Sequence, residues 1–291
     1  VKTISIGESK MAWEPAWSPD GKYIAFVDDD VRIRIVDLKT EKASTADVGG
    51  TNLERGSMGI TWSPDSKWLA YSKAGSNNLK QIKVWSIETK EVNAITNMFA
   101  DANAPAWDRD MHHMYFLAST DVALGSGWAN TSSMTADPTY AAYVVNLRND
   151  DPTPFTIRSD EEEVEKEKDA EKEKKDDKKD EKGDNDEKDE KDEKGDKKEK
   201  AEESLKIDFD GIDRRIMALK MPASNYVFTL AGPAGTVFIA ERDAATFSVK
   251  LQKHTLKDRE AKEFLAGLRQ ASVSADGKQM LAQVGSSWKV I

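Results

Sequence analysis

Trp17-Ser18-Pro19-Asp20-Gly21-Lys22-Tyr23-Ile24-Ala25-Phe26 recurs 45 residues later as Trp62-Ser63-Pro64-Asp65-Ser66-Lys67-Trp68-Leu69-Ala70-Tyr71. A further 45 residues on it returns in eroded form, as Trp107-Asp108-Arg109-Asp110 leading into Met114-Tyr115-Phe116-Leu117. A fainter copy, Val273-Ser274-Ala275-Asp276-Gly277-Lys278, precedes Met280-Leu281-Ala282. A repeat of roughly 40–45 residues is the period of one four-stranded propeller blade.

The phrase encodes a hairpin. Pro19 presets φ at the first central position of a turn, Asp20 bonds the local backbone, and Gly21 accepts a positive φ. The run that follows is apolar on both faces, as expected of an antiparallel strand covered on both sides. A third strand is expected at Val31–Val36, at Ile82–Ile87 and at Ala142–Leu147. Trp17, Trp62 and Trp107 are expected to be core residues at equivalent places in consecutive blades.

The predicted fold is an all-β propeller of four-stranded blades. Its blades cover about residues 10–50, 55–98 and 101–157. A fourth follows with strands at Tyr226–Phe228, Val237–Ala240 and Phe247–Leu251, and Ile216–Leu219 closes the third blade. The fifth blade is cut off. About four and a half blades is an incomplete number for a ring that closes with four to eight, and an unclosed array leaves apolar faces exposed at both ends. The expectation is a fragment of a larger propeller, with blades in 1–160 and their continuation in 204–291.

The tract between those parts, 161–203, holds 23 acidic residues and 14 lysines. It has no aromatic residue, and Val164 is its one β-branched residue. It cannot bury enough apolar surface to offset chain entropy, so a disordered charged insertion is expected there. The net charge of −10 belongs almost wholly to this tract. The remainder has no basic stripe for nucleic acid. No run approaches the 18 apolar residues that read as a membrane-spanning helix. The chain has no cysteine, which excludes disulfides, thiolate metal sites and a Cys nucleophile.

No catalytic, cofactor or metal constellation emerges. His112 and His113 are adjacent at the start of a strand, where neighbours point to opposite faces, so a turn or rim role is expected; His254 stands alone. Gly56-Ser57-Met58-Gly59 and Gly125-Ser126-Gly127 miss the spacing of a nucleophile elbow. Gly232-Pro233-Ala234-Gly235 lacks the Lys of a phosphate loop and sits where a hairpin turn is due. Asp28-Asp29-Asp30 falls at a polar turn, without a distant Glu at calcium-loop spacing. Arg214-Arg215 beside Asp208, Asp210 and Asp213 reads either as an anion clamp or as a surface ion-pair cluster.

The Trp-Ser-Pro-Asp-Gly-Lys phrase resembles the WD40-like repeat of TolB and tricorn-type propellers. Leu147-Arg148-Asn149-Asp150-Asp151-Pro152-Thr153-Pro154-Phe155 comes before the charged tract, and Ile207-Asp208-Phe209-Asp210-Gly211-Ile212-Asp213-Arg214-Arg215-Ile216 after it. Together they resemble the propeller segment of bacterial tricorn-protease homologues of the S41 peptidase class. The resemblance implies a non-catalytic propeller that admits and sieves peptides and scaffolds assembly. It also implies PDZ and serine-peptidase domains on the same polypeptide, a homo-oligomer, no cofactor, and a cytoplasmic place, or a periplasmic one as in exported relatives. None of the family's catalytic residues carries over, because their motifs lie outside 1–291. A TolB-like protein-binding scaffold and the propeller cap of a prolyl-oligopeptidase-like hydrolase are the alternative readings.

Overall fold

The computed structural model describes residues 3–121, 138–155 and 204–291. The charged tract 161–203 and Gly125-Ser126-Gly127 lie outside the described residues. The chain divides into two units, Val1–Asp151 with Ser204–Ile291, and Pro152–Glu203. In the second unit the described stretch is 152–155, where the Phe155 amide donates to Thr153 Oγ1.

The first unit is a succession of antiparallel sheets. The first sheet runs β1 (Ala12–Trp17), β2 (Tyr23–Asp28), β3 (Arg32–Asp37) and β4 (Lys42–Val48), paired in chain order. The second repeats this with β5 (Thr61–Trp62), β6 (Trp68–Ala74), β7 (Lys80–Ser86) and β8 (Val92–Ala94). The third contains β9 (Asp101–Trp107), β10 (His113–Ser119), β11 (Ala141–Asn146) and β12 (Ile216–Ala218). In each, the second strand is buried on both faces: Ala25–Val27, Leu69–Tyr71 and Met114–Leu117 are all buried. These features make the molecule a partial β-propeller.

The turn phrase folds as its residues dictate. Ser18 Oγ donates to Asp20 Oδ1 at 2.6 Å and accepts from the Tyr23 amide at 2.9 Å, while Asp20 Oδ1 accepts from the Lys22 amide at 3.1 Å. Ser63 and Asp65 repeat the pattern, and so do Ser274 and Asp276 of the faintest copy. The left-handed position is taken by Gly21, Ser66, Met111 and Gly277, with φ between 61° and 73°.

The tryptophans make the joints between sheets. Trp62 Nε1 donates to the Ala16 carbonyl at 3.1 Å, and Trp107 Nε1 to the Thr61 carbonyl at 3.2 Å. Each acceptor lies one residue before the tryptophan of the preceding sheet, and Trp62 also stacks on Tyr23 of that sheet. Trp62 and Trp107 are buried as expected, but Trp17 is 63% exposed. The expectation fails there for a physical reason. Each tryptophan packs backwards, and no described sheet stands in front of β1.

The region after the charged tract enters as a clip. The Leu205 amide donates to Asp65 Oδ2 at 2.9 Å, and Leu205, Ile207 and Ile212 join the core cluster of Trp107, Phe116 and Val145. Phe209 meets Trp68 edge to face. Gly211 takes φ 63° to start the short 3-10 turn Ile212–Arg215, which delivers the chain to β12.

The last sheet departs from the four-strand plan. It orders β13 (Tyr226–Ala231), β14 (Thr236–Arg242), β15 (Val249–Thr255), β16 (Glu260–Val273), β17 (Met280–Val284) and β18 (Ser287–Val290). The first part of β16 pairs with β15 and closes the fourth blade, while its second part pairs with β17 and opens the fifth. Gly267, at φ 70°, lies at the changeover. The fourth and fifth blades thus share one uninterrupted strand.

We expect Trp62→Ala and Trp107→Ala each to cost about 3–5 kcal/mol, the range for emptying a buried aromatic site. Trp17→Ala should stay within about 0.5 kcal/mol, as at an ordinary surface position. Urea unfolding of the three variants checks this. A Trp17→Ala loss equal to that of Trp62→Ala contradicts the exposed placement.

Candidate functional site

The innermost strands of the blades face one another across a channel. β1, the segment entering β5, β9, β13 and the second part of β16 line a cavity of about 670 Å³. Its wall mixes Glu14, Lys80, Asn103 and Arg109 with the edges of Trp62 and Trp107. β1, β5, β9 and β13 each sit at the end of their sheet, so their outer backbone edges face away from their own ladders.

A second periodicity shapes this wall. Glu14, Gly59 and Ala104 lie 45 residues apart, three before each tryptophan, and all take left-handed φ values of 51°, 62° and 53°. Around Glu14 and Ala104 the pairing of β1 with β2 and of β9 with β10 shifts register. Such bulges re-aim side chains. Glu14 Oε2 is aimed at the next bulge, accepting from the Gly59 amide at 2.9 Å and the Ile60 amide at 3.4 Å. Burial raises its pKa, against the lowering effect of those amides and of Lys80. Farther round, Thr229 Oγ1 of β13 donates to the Ala104 carbonyl at 2.6 Å. The bulge of the first blade is therefore tied to the second blade, and that of the third blade to the fourth.

The eroded turn holds the most connected charges. Asp108 takes the place of the serine in the phrase and is fully buried. It accepts from the Tyr115 hydroxyl and from the Gly235 amide of the β13–β14 turn at 3.0 Å. Burial and the neighbouring Asp110 charge raise its pKa, and burial beside Asp108 raises that of Tyr115. Arg109 takes the place of the proline. Its guanidinium donates to the carbonyls of Ala231 and Gly232 at 2.6 Å, Ser274 at 2.7 Å and Ala275 at 3.0 Å. One side chain thus joins the third, fourth and fifth blades. Burial lowers its pKa, with the Asp108 and Asp276 charges opposing. Gly277 is required beside it, since a Cβ there would lie 2.7 Å from Arg109 Cδ.

The histidines fill the roles expected of a turn, with one exception. His112 Nδ1 lies 2.8 Å from Asp151 Oδ2, and His113 Nδ1 lies 2.5 Å from Asp110 Oδ2. Burial disfavours the charged form of His113, but the Asp110 bond and charge outweigh it and raise the pKa. Ligand atoms of Asp108, Asp110 and His113 fall within 4.8 Å of one another. The four carboxylate oxygens already accept from Tyr115, Gly235, Asp110, His112 and His113, so the group reads as a turn network. His254 is the exception. It is fully buried in β15, and neither ring nitrogen has a hydrogen-bond partner among the described residues.

Other residues singled out from the sequence fall into structural places. Asp28 is fully buried at the end of β2 and accepts from Ser9, Asp30 and Arg32, and the adjacent Asp29 anchors the Lys10 amide. Gly232–Gly235 forms the β13–β14 hairpin turn. In the Arg214–Arg215 cluster the Arg215 guanidinium donates to the main-chain carbonyls of Asn146, Asp208 and Asp210, and Asp208 pairs with Lys206 at 3.5 Å. Glu14, Asp108 and Arg109 were missed. The signal for Asp108 and Arg109 was the erosion of the phrase itself, with charges at 108 and 109 where its other copies carry Ser and Pro or Ala. Among the described residues no helix is long and apolar enough to cross a membrane.

The family described as the tricorn protease second β-propeller domain matches residues 3–291. Tricorn protease homolog 1 of Streptomyces coelicolor is 25% identical over 147 residues, which are 50% of this chain and 12% of that protein. The crystal structure of the tricorn protease superposes with a TM-score of 0.65 at 17% identity, covering 96% of this chain and 25% of that one. TolB from Acinetobacter baumannii does so with a TM-score of 0.53 at 13% identity, covering 96% and 51%. The chain therefore spans a small part of the tricorn relatives it matches.

Two outcomes follow from these side chains. Arg109→Lys should destabilise by about 3 kcal/mol, because a point ammonium cannot serve four carbonyls set for a planar fork. A wild-type urea midpoint for Arg109→Lys contradicts the three-blade tie. For His254, burial lowers the folded pKa below its ordinary value of 6.5. Unfolding then takes up a proton, so stability is lost as pH falls below about 6.5. His254→Leu should remove that loss, and the gap between variant and wild type should widen towards acid; a constant gap sinks the assignment.

Proposed function

Because this chain belongs to the tricorn protease second β-propeller domain family, we propose that it is the non-catalytic propeller segment of a tricorn-like serine peptidase. Its channel admits extended peptides towards the catalytic chamber and rejects folded domains. PDZ and serine-peptidase domains on the same polypeptide are its partners, and the intact assembly is a homo-oligomer. The observation that carries this reading is the channel, ringed by inner strands at sheet edges. Its volume falls within the range of about 300–1,000 Å³ that ligand clefts occupy. An extended chain can bond to such edges through its backbone, which gives affinity without strict sequence preference. The wall offers Glu14, Lys80 and Asn103 beside apolar surface, which suits peptides of mixed composition. Both tricorn relatives extend far beyond the matched region, in keeping with a catalytic part elsewhere.

The test is fluorescence anisotropy of a labelled unstructured peptide added to the chain. We expect saturable binding, weakened at least about tenfold (1.4 kcal/mol) by Asn103→Trp, which narrows the channel. A small folded domain carrying the same label should not bind. Binding unaffected by Asn103→Trp, or none at all, refutes the channel as the route.

A further inference from the structure

One cation in the channel wall has no acid to hold it. Lys80 opens β7 in the second blade, where its backbone pairs with Ala74 of β6. The first and third blades are joined to the second on either side. The Lys80 amide donates to Asp101 Oδ1 at 2.7 Å, and Asp101 Oδ2 accepts from the Tyr140 hydroxyl at 3.0 Å. Asp101 therefore holds the main chain of Lys80 and not its ammonium. The side chain is half-buried and lines the channel. Its ammonium donates to the Ser57 carbonyl at 3.3 Å, two residues before the Gly59 bulge.

The other charges of the wall are already engaged. Glu14 feels the charge of Lys80, but its carboxylate accepts from the Gly59 and Ile60 amides. Arg109 gives four of its five N–H groups to carbonyls. Among the described residues Lys80 makes no ion pair. Lys73, also half-buried and seven residues earlier, shows the contrast, with Asp47 Oδ1 at 2.8 Å from its Nζ. An ammonium carries three donors and no acceptor, and a setting partly shielded from water strengthens its pull on an anion. Lys80 therefore presents two donors and a full positive charge to whatever occupies the channel.

Given the channel as the peptide route, on which this inference rests, we propose that Lys80 sets its specificity: the ammonium takes a carboxylate of the occupying peptide, from an acidic side chain or from the C terminus. Backbone bonding at the inner strand edges is indifferent to sequence, and Lys80 adds a bias towards negative charge. A basic peptide meets a like charge at the same place, which discriminates against it.

Fluorescence anisotropy with matched, labelled, unstructured peptides tests this. The reference is uncharged and amidated at its C terminus. Against it stand the same peptide with a free C-terminal carboxylate, an amidated set with one Asp moved along the sequence, and an amidated peptide with one Lys. We expect a carboxylate peptide to bind about tenfold tighter than the reference, and the Lys peptide to bind more weakly. A gain confined to the Asp set assigns Lys80 to acidic side chains, and a gain confined to the free C terminus assigns it to chain ends. Lys80→Met removes the charge and keeps the apolar stem, so the ratio of the two affinities should fall to about one. Lys80→Gln gives the same reading should the Met variant fail to fold, and Lys80→Arg should keep the ratio. Added salt should narrow it in the wild-type chain. Equal affinity for every peptide, each weakened by Asn103→Trp, overturns the role of Lys80 and leaves the channel as the route. A preference that survives both Lys80→Met and Lys80→Gln overturns it as well. Binding of no peptide at all overturns it together with the reading on which it rests.

Discussion

A propeller blade cannot bury its own faces, and the joint between blades is the interaction on which this molecule depends. Each middle strand is apolar on both sides, so a blade standing alone would present two apolar surfaces to water. The tryptophan answers this with a large ring and one directed polar contact. Its indole N–H would be costly to bury unpaired, and it finds a main-chain carbonyl on the inner strand ahead, where the sheet ends. The area drives packing, and the single hydrogen bond fixes the register in which consecutive blades meet. The contrast between Trp62 and Trp17 isolates this effect, since the sequence around the two is nearly the same and the neighbour differs.

Farther along the chain the same joint is made with different chemistry. The fourth blade has no tryptophan in the series, and Asp108 and Arg109 of the third turn supply the tie. Asp108 reaches the Gly235 amide, and Arg109 gathers four carbonyls from two successive blades. A guanidinium surrounded by carbonyls has its donors satisfied without a carboxylate in direct contact, while nearby Asp108 and Asp276 supply the compensating field. The loss of the repeat's signature at 108–109 therefore marks a change in how the blades are connected, not a lost connection.

Much of the fold was legible because the repeat writes turn, strand and joint into ten residues. The hairpin turns, the doubly buried strands and the return of the chain at Ile216 all follow from local rules that hold in any blade. What was not legible depends on neighbours. Trp17 looks identical to Trp62 in sequence, and its exposure is set by what lies in front of it. The continuous β16 was hidden because its outer part alternates weakly and its changeover at Gly267 resembles a turn. The channel wall was missed for another reason. Glu14, Gly59 and Ala104 share no chemistry, only a backbone conformation, and no pattern of side chains announces a left-handed residue at Glu or Ala.

Those left-handed residues bear on how the fold and the channel are related. Two of the three are not glycine, and such a conformation costs of order 1–3 kcal/mol at a residue with a side chain. The strain sits on the inner strands, three residues before the tryptophan positions that fix the blades to one another. A rigid joint so close by can hold a strained bulge open. The bulge in turn carries Glu14 across to the next blade and presents backbone to the channel. The described chain beyond the charged tract is held by Leu205, Ile207, Ile212 and the Arg215 fork. The backbone facing the channel is set by the same contacts that close one blade on the next.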